Sequence, residues 1–197
     1  MSKCALILCE KKMSEKSKKS LSVAEIVFVP MYELLKTSIE KTSICEMFLL
    51  FEKEERTEKL RNFITRNKDS DIFIVQGTNP FVSPDTIEKS HKEFLEKERK
   101  ITAVISPFCE SFAAVWMTVK DFRKHCSLNT DEEISLDYVI RTFGEINEFT
   151  SKNDDDFLRA ENPADAFRLS EYKRKKITVF FNFFNKEYCN FILQSFI

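Results

Sequence analysis

The chain has 197 residues, with 31 Lys and Arg against 32 Asp and Glu and a formal net charge of -1. That length and an even composition predict one domain over residues 1–197, and the balanced charge excludes a general attraction to nucleic acid or anionic lipid. The apolar run of MSKCALILCEKK is too short for a signal peptide. The Phe-rich end ITVFFNFFNKEYCNFILQSFI is interrupted by Asn182, Asn185, Lys186, Glu187, Asn190 and Gln194, so no membrane span is expected and the location is read as cytoplasmic.

In chain order, Cys4 to Leu8 is a short continuous apolar run, the pattern of a strand buried on both faces. A charged loop, EKKMSEKSKK, follows. Met31, Leu34, Leu35 and Ile39 recur at helical spacing behind Pro30, and Met47 to Phe51 reads as a second strand. Leu60, Phe63 and Ile64 form the apolar stripe of an exposed helix, and residues 72–75 (IFIV) form a third strand. Ser83 caps the next helix, Pro84 opens it, and Asp85 faces its dipole favourably. The stripe of that helix is read as Ile87, Phe94 and Leu95, and residues 101–105 (ITAVI) form a fourth strand.

Beyond that point the pattern is less regular. SFAAVWMTV (111–119) suits a strand of either sense, and DEEISLDYVIRTF (131–143) is helix-like, with Ile134, Tyr138 and Val139 on one side. Asn162 caps and Pro163 opens another helix, with Asp165 placed to reach back in the manner of a capping box. The last 20 residues read as a strand followed by a short helix. Strands alternating with helices predict an α/β fold: a three-layer sandwich with a mainly parallel sheet, right-handed crossovers and helices on both faces.

The order of these parts resembles the nucleotidyltransferase superfamily of sugar-phosphate pyrophosphorylases and cytidylyltransferases. The resemblance rests on ALILCEKKM, KSKKSL, VFVPMYELL, IFIVQGTNPFVSPDTIEK and ENPADAFRLSE, over about residues 3–175. QGTNPFVSPDTI is similar to loops of cytidylyltransferases that make methylerythritol and sialic acid nucleotides. The resemblance implies a nucleotide-diphospho-sugar transferase-like sheet and a nucleotide, CTP or UTP, together with a phosphorylated sugar or polyol. It implies Lys12 and Lys19 as the catalytic charges on phosphate, and Gly77, Thr78, Asn79 and Pro80 as the nucleotide-binding loop. Mg²⁺ would be needed only by an active form, and no metal ligand is assigned.

The departures from that pattern bear on activity. Only two glycines, Gly77 and Gly144, occur in the chain, whereas phosphate-cradling loops use glycine to bring backbone N–H groups close to the ligand. The first loop has no glycine, and Lys11 or Lys12 is its nearest positive charge. The central loop offers Gly77, Thr78 and Asn79 where many relatives place a carboxylate, and hydroxyl and amide oxygens bind a hard cation less well. The run Asp154, Asp155 and Asp156 is read as a solvated turn ahead of a metal site. His91 and His125 have no Ser or Cys partner that would make them catalytic.

The six cysteines, Cys4, Cys9, Cys45, Cys109, Cys126 and Cys189, show no metal-ligand spacing and read as reduced. Trp116 and the 20 Phe residues read as core, with part of the aromatic surface open to a protein partner. Two functions remain. One is a catalytically impaired relative that keeps the fold as a nucleotide-binding or regulatory module; the other is an active Mg²⁺-dependent nucleotidyltransferase joining CTP or another NTP to a sugar or polyol phosphate. The missing glycines and carboxylate favour the first.

Overall fold

A computed structural model describes residues 2–9, 12, 19–51, 58–107, 111–125, 134–143 and 145–176. The strands expected from the apolar runs are present as β1 (Lys3–Leu8), β4 (Glu46–Leu50), β5 (Asp71–Gln76) and β6 (Thr102–Ile105). Between the first two, a two-residue-per-strand hairpin, β2 (Glu25–Ile26) and β3 (Val29–Pro30), leads into helix α1 (Met31–Ile39). The remaining elements are α2 (Lys59–Arg66), α3 (Pro84–Glu96), β7 (Phe112–Thr118), α4 (Val119–His125), α5 (Leu136–Arg141), β8 (Asn147–Thr150) and a helix α6 over residues 163–176.

Six strands form one sheet in the order β4-β1-β5-β7-β6-β8. β1 runs parallel to both β4 and β5, and β6 runs parallel to β8. β7 is antiparallel to β5 and β6, between which it lies. The strand that the sequence left of either sense is therefore the one reversed strand of a mainly parallel sheet. Its apolar run FAAVWM is explained by burial on both faces, because every residue from Ala113 to Met117 is inaccessible.

The alternation of side chains along the strands sorts the core into two layers. On one face, Leu6, Ile72, Ile74, Val115 and Met117 pack with Leu60, Phe63 and Ile64 of α2, Phe122 of α4 and Val139 of α5. On the other, Ile7, Phe73, Val75 and Trp116 pack with Leu35 and Ile39 of α1 and Ile87 and Phe94 of α3. The three-layer sandwich is thus the expected one. A third, smaller cluster joins Leu21, Ile26 and Met31 to Ala160, Ala166 and Leu169, setting α6 against the hairpin.

Local chemistry matches the sequence at two helix starts. The Ser83 hydroxyl accepts from the Thr86 N–H at 3.2 Å with Pro84 at the first position. The Asn162 Oδ1 accepts from the N–H groups of Ala164 and Asp165 at 2.9 and 3.1 Å. Asp165 reaches back, but to the N–H of Glu161 at 3.0 Å, one residue upstream of the cap itself.

The stripe of α3 differs from the sequence reading. Leu95 is 43% exposed, and the third inward place is taken by His91 at 6%. Spacing explains this: residues 87, 91 and 94 lie on one helix face, whereas 95 has rotated off it. His91 Nε2 lies 3.0 Å from Asp71 Oδ2, so the imidazole is tolerated inside because a carboxylate meets it. Arg99 Nε stands 3.4 Å from the other oxygen of Asp71, and the Trp116 indole N–H donates to Ser90 at 3.0 Å.

Two turns carry left-handed backbone at ordinary residues: Val27 and Phe28 at φ 52° and 66°, and Glu98 and Arg99 at φ 57° and 60°. The predicted elements of the last 20 residues, and Cys109, Cys126, Cys189 and Gly144, lie outside the described residues.

Candidate functional site

Parallel strands of an open sheet direct their loops to one edge, and ligands of such sheets bind there. Here the edge is formed by Leu8, Leu50 and Gln76, which stand in register at the carboxyl ends of β1, β4 and β5. Two hydrogen bonds close the strand ends: the Cys9 N–H donates to the Leu50 carbonyl at 2.7 Å, and the Gly77 N–H to the Leu8 carbonyl at 2.8 Å.

Of the charged segment after β1, Lys12, Lys19 and Ser20 are described, and Ser20 lies against the end of β1. Lys12 pairs with Ser20 across an isolated antiparallel bridge, which brings Lys12 and Lys19 to the same end of the loop, both exposed. Ser20 anchors the return by donating its hydroxyl to the Cys9 carbonyl, and it lies 2.6 Å from the Ser22 hydroxyl. Glu10, Lys11, Lys16 and Lys18 lie outside the described residues.

The loop after β5 is enclosed. Gly77, Thr78, Asn79 and Pro80 are all buried. A Cβ at Gly77 would lie 2.7 Å from Cys9 Sγ, 3.0 Å from Ser22 Cβ and 3.4 Å from Ile7 Cγ2. Glycine is required there by protein atoms packed against it, since its φ is not positive. The Thr78 carbonyl accepts from the Ala160 N–H at 2.9 Å, tying the loop to the approach of α6. Asn79 donates weakly to the Ala113 carbonyl at 3.4 Å, while its Oδ1 is buried with no hydrogen-bond partner among the described residues.

The aspartate run does not behave as one solvated turn. Asp156 is fully buried; its Oδ1 accepts from the Ser83 N–H at 2.8 Å and Asn153 Nδ2 at 2.9 Å, and its Oδ2 from Thr86 Oγ1 at 2.5 Å and Ser151 Oγ at 2.6 Å. These four donors fill the carboxylate's lone pairs and fasten the segment after β8 to the first turn of α3. Asp155 instead accepts from Tyr172 and Lys176 of α6. Burial acts to raise the Asp155 pKa, but the hydrogen bonds from Lys176 and Tyr172 and the charges of Lys176 and Lys173 outweigh it and hold the group below its ordinary value. The three side chains diverge, as adjacent residues of a tight turn must.

Farther along the same edge, a cavity of about 810 Å³ opens beside the ends of β6 and β8. Ile105, Phe112 and Ile140 give it apolar walls, and Asp137, Arg141, Glu148 and Arg159 bring charge to its rim. Arg159 is held by Glu161 at 2.7 Å. Sequence reasoning missed these residues, because β8 (NEFT) carries a single apolar residue, Phe149, and gives no strand signal.

No protein-family profile matches the chain, and no curated protein matches it by sequence. Solved structures do match by shape. One is 4-diphosphocytidyl-2C-methyl-D-erythritol synthase from Anaerococcus prevotii, with TM-score 0.57 and 10% identity over 88% of this chain and 98% of that one. Another is CMP:2-keto-3-deoxy-manno-octonic acid synthetase complexed with CTP, with TM-score 0.61 and 8% identity over 89% of this chain and all of that one (100%). The fold is that of the nucleotide-diphospho-sugar transferases. A hypothetical transferase from Thermus thermophilus shares it at TM-score 0.56 and 12% identity, covering 84% of this chain and 100% of its own.

The sequence resemblance implies Mg²⁺ for an active form, and that ion takes oxygen ligands, carboxylates among them. Among the described residues no group of three or more His, Cys, Asp or Glu converges to hold a metal. The buried carboxylate at the relevant edge, Asp156, is already saturated by protein donors. The described residues therefore do not fit a Mg²⁺ site of the carboxylate kind. No described helix is long and apolar enough to cross a membrane.

Proposed function

We propose that this chain keeps the transferase-type fold as a cytoplasmic nucleotide-binding or regulatory module and does not catalyse nucleotidyl transfer at an ordinary enzymatic rate. The packing at Gly77 carries this reading. In a working phosphate loop, glycine leaves space that the ligand fills; here Cys9 and Ser22 fill it. Transfer to an α-phosphorus needs charge neutralisation at the attacked centre; beside the first loop the described residues offer the exposed Lys12 and Lys19 as point charges, and Arg141 and Arg159 lie farther along the edge. A loss of about 4 kcal/mol of transition-state stabilisation slows a reaction roughly a thousandfold. A nucleotide, CTP or UTP, would lie against Lys12 and Lys19, over rather than within the filled loop Gly77–Pro80, and a protein partner would read its presence.

The second reading is an active Mg²⁺-dependent enzyme that joins CTP or another NTP to a sugar or polyol phosphate. The cavity beside β6 and β8 favours it, since Arg141 beside apolar walls suits a phosphorylated acceptor, while Arg159 is paired with Glu161 and Asp137 and Glu148 share the rim. An assay of pyrophosphate release with each NTP, Mg²⁺ and a panel of sugar and polyol phosphates separates the two. Silence across the panel, with CTP or UTP shifting amide resonances near Lys12, Lys19 and Gly77, is the expected result. Turnover of about 1 per second or faster would establish the active enzyme instead.

A further inference from the structure

At the opposite edge of the sheet, a cavity of about 410 Å³ is lined by Lys68, Asp69, Val119, Lys120, Arg123 and Lys124. Four cations there face one carboxylate, on a chain whose net charge is -1. None of the four has a side-chain hydrogen bond or ion pair with any described residue. Elsewhere on the surface, Lys36, Lys89, Lys92 and Lys97 are each paired with an acid on their own helix or its end. Lys120, Arg123 and Lys124 stand three and four residues apart and so share one face of α4, where like charges oppose one another.

The sheet brings these walls together. Asp71 of β5 pairs with Thr118 of β7, so the residues just before β5 stand opposite those just after β7. The Val119 N–H donates to the Ser70 carbonyl at 3.0 Å and continues this pairing past the strand ends. The direction of α4 is set by a reciprocal cap: the Asp121 N–H donates to Thr118 Oγ1 at 3.0 Å, and that hydroxyl donates to Asp121 Oδ2 at 2.7 Å. Asp121 is thereby engaged in the cap. Val119 is wholly buried, while the charged side chains around it are exposed.

The geometry points to a binding site for a small multivalent phosphate at this cavity, held by Lys68, Lys120, Arg123 and Lys124. Four positive groups against one negative match an oligophosphate carrying three or more charges. The overall charge of -1 and the small concave shape fit a free oligophosphate or the triphosphate of a nucleotide better than a nucleic acid, which needs an extended basic surface. The site is separate from the carboxyl edge of the sheet and does not rest on nucleotide binding there.

Titration of the full chain with tripolyphosphate, and separately with CTP, followed by amide NMR at low and high salt, tests the assignment. Tripolyphosphate should shift residues 68, 69, 119, 120, 123 and 124 in a saturable and salt-sensitive way. Equal apparent affinity for CTP at these residues would show that only the phosphates are read, whereas weaker CTP binding would mark a free oligophosphate as the ligand. The double variant Arg123→Glu and Lys124→Glu alters only exposed side chains and should lower the tripolyphosphate affinity by about tenfold or more, while Lys36→Glu leaves it unchanged. No saturable shift at low salt, shifts confined to other residues, equal affinity in the double variant, or tighter binding of a DNA duplex than of tripolyphosphate would each overturn the proposal.

Discussion

Replacing Asp156 by Ala removes the carboxylate that joins two separated stretches: Ser151 and Asn153 after β8, and Ser83 and Thr86 at the cap and first turn of α3. Hydrogen bonds to a charged acceptor contribute about 1.5–3 kcal/mol each, and a buried donor left unpaired costs about 1–3 kcal/mol. The four terms do not add. Thr86 Oγ1 and Ser151 Oγ are already 3.2 Å apart and can turn toward each other, whereas the Ser83 N–H and Asn153 amide, both half-buried, can recruit water. Discounting for this relaxation leaves an expected loss of about 3–5 kcal/mol, near that for removing one partner of a buried charged network. Asp156→Asn keeps the shape but turns an amide N–H₂ toward two donors and should lose about 2–3 kcal/mol. Denaturant unfolding measures both, with the native slope as a check that the unfolded state is unchanged. Mg²⁺ at millimolar concentration should leave the wild-type midpoint where it is, because the carboxylate is occupied. An Asp156→Ala protein within about 1 kcal/mol of wild type, or a wild type strongly stabilised by Mg²⁺ and an Asp156→Asn protein that is not, would refute the reasoning.

Gly77→Ala should destabilise by about 1–3 kcal/mol through overpacking against Cys9 Sγ, and Cys9→Ala in the same chain should recover part of the loss in a double-mutant cycle. Glu88 accepts from Lys3 and from the N–H and hydroxyl of Ser43; burial acts to raise its pKa, but these donors and the Lys3 charge outweigh it and hold it at about 2. Because this folded value lies below the unfolded one, the contribution is complete above the ordinary glutamate range and is lost as pH falls from there through about 2. Glu88→Gln should flatten the acid limb of an unfolding profile over that window. Burial, with the nearby charges of Glu46 and Asp71, pushes the Cys4 thiol up to about 12, so mass-mapped alkylation at neutral pH should label exposed Cys45 and leave Cys4 untouched in the native state.

The sheet was legible because four strands are continuous apolar runs, and a strand covered by helices on both faces has little choice of composition. Helix starts were legible where one residue does the chemistry, as at Ser83 with Pro84 and at Asn162 with Pro163. Leu95 misled because hydrophobicity marks a face only when its phase fits, and His91 fills that phase by virtue of Asp71, 20 residues away in sequence. The same non-local logic hid Asp156, whose neighbours look identical on paper, yet Asp155 accepts from Tyr172 and Lys176 and Asp154 is exposed. At the candidate site, glycine at position 77 signals closeness, but only coordinates say closeness to what.

The left-handed turns at Val27, Phe28, Glu98 and Arg99 have a bearing on how freely this sequence can drift. An L residue in that conformation costs roughly 1–2 kcal/mol, so these positions hold latent stability. Glu98→Gly should raise the unfolding free energy by about 0.5–1 kcal/mol, after the extra freedom of the unfolded chain is subtracted, and no improvement on thermal unfolding would count against the strain. A protein with such reserves has not been tuned to its optimum. Substitutions at these turns would widen its tolerance to later loss elsewhere, the slack from which a binding module can acquire new surfaces while the sheet beneath stays put.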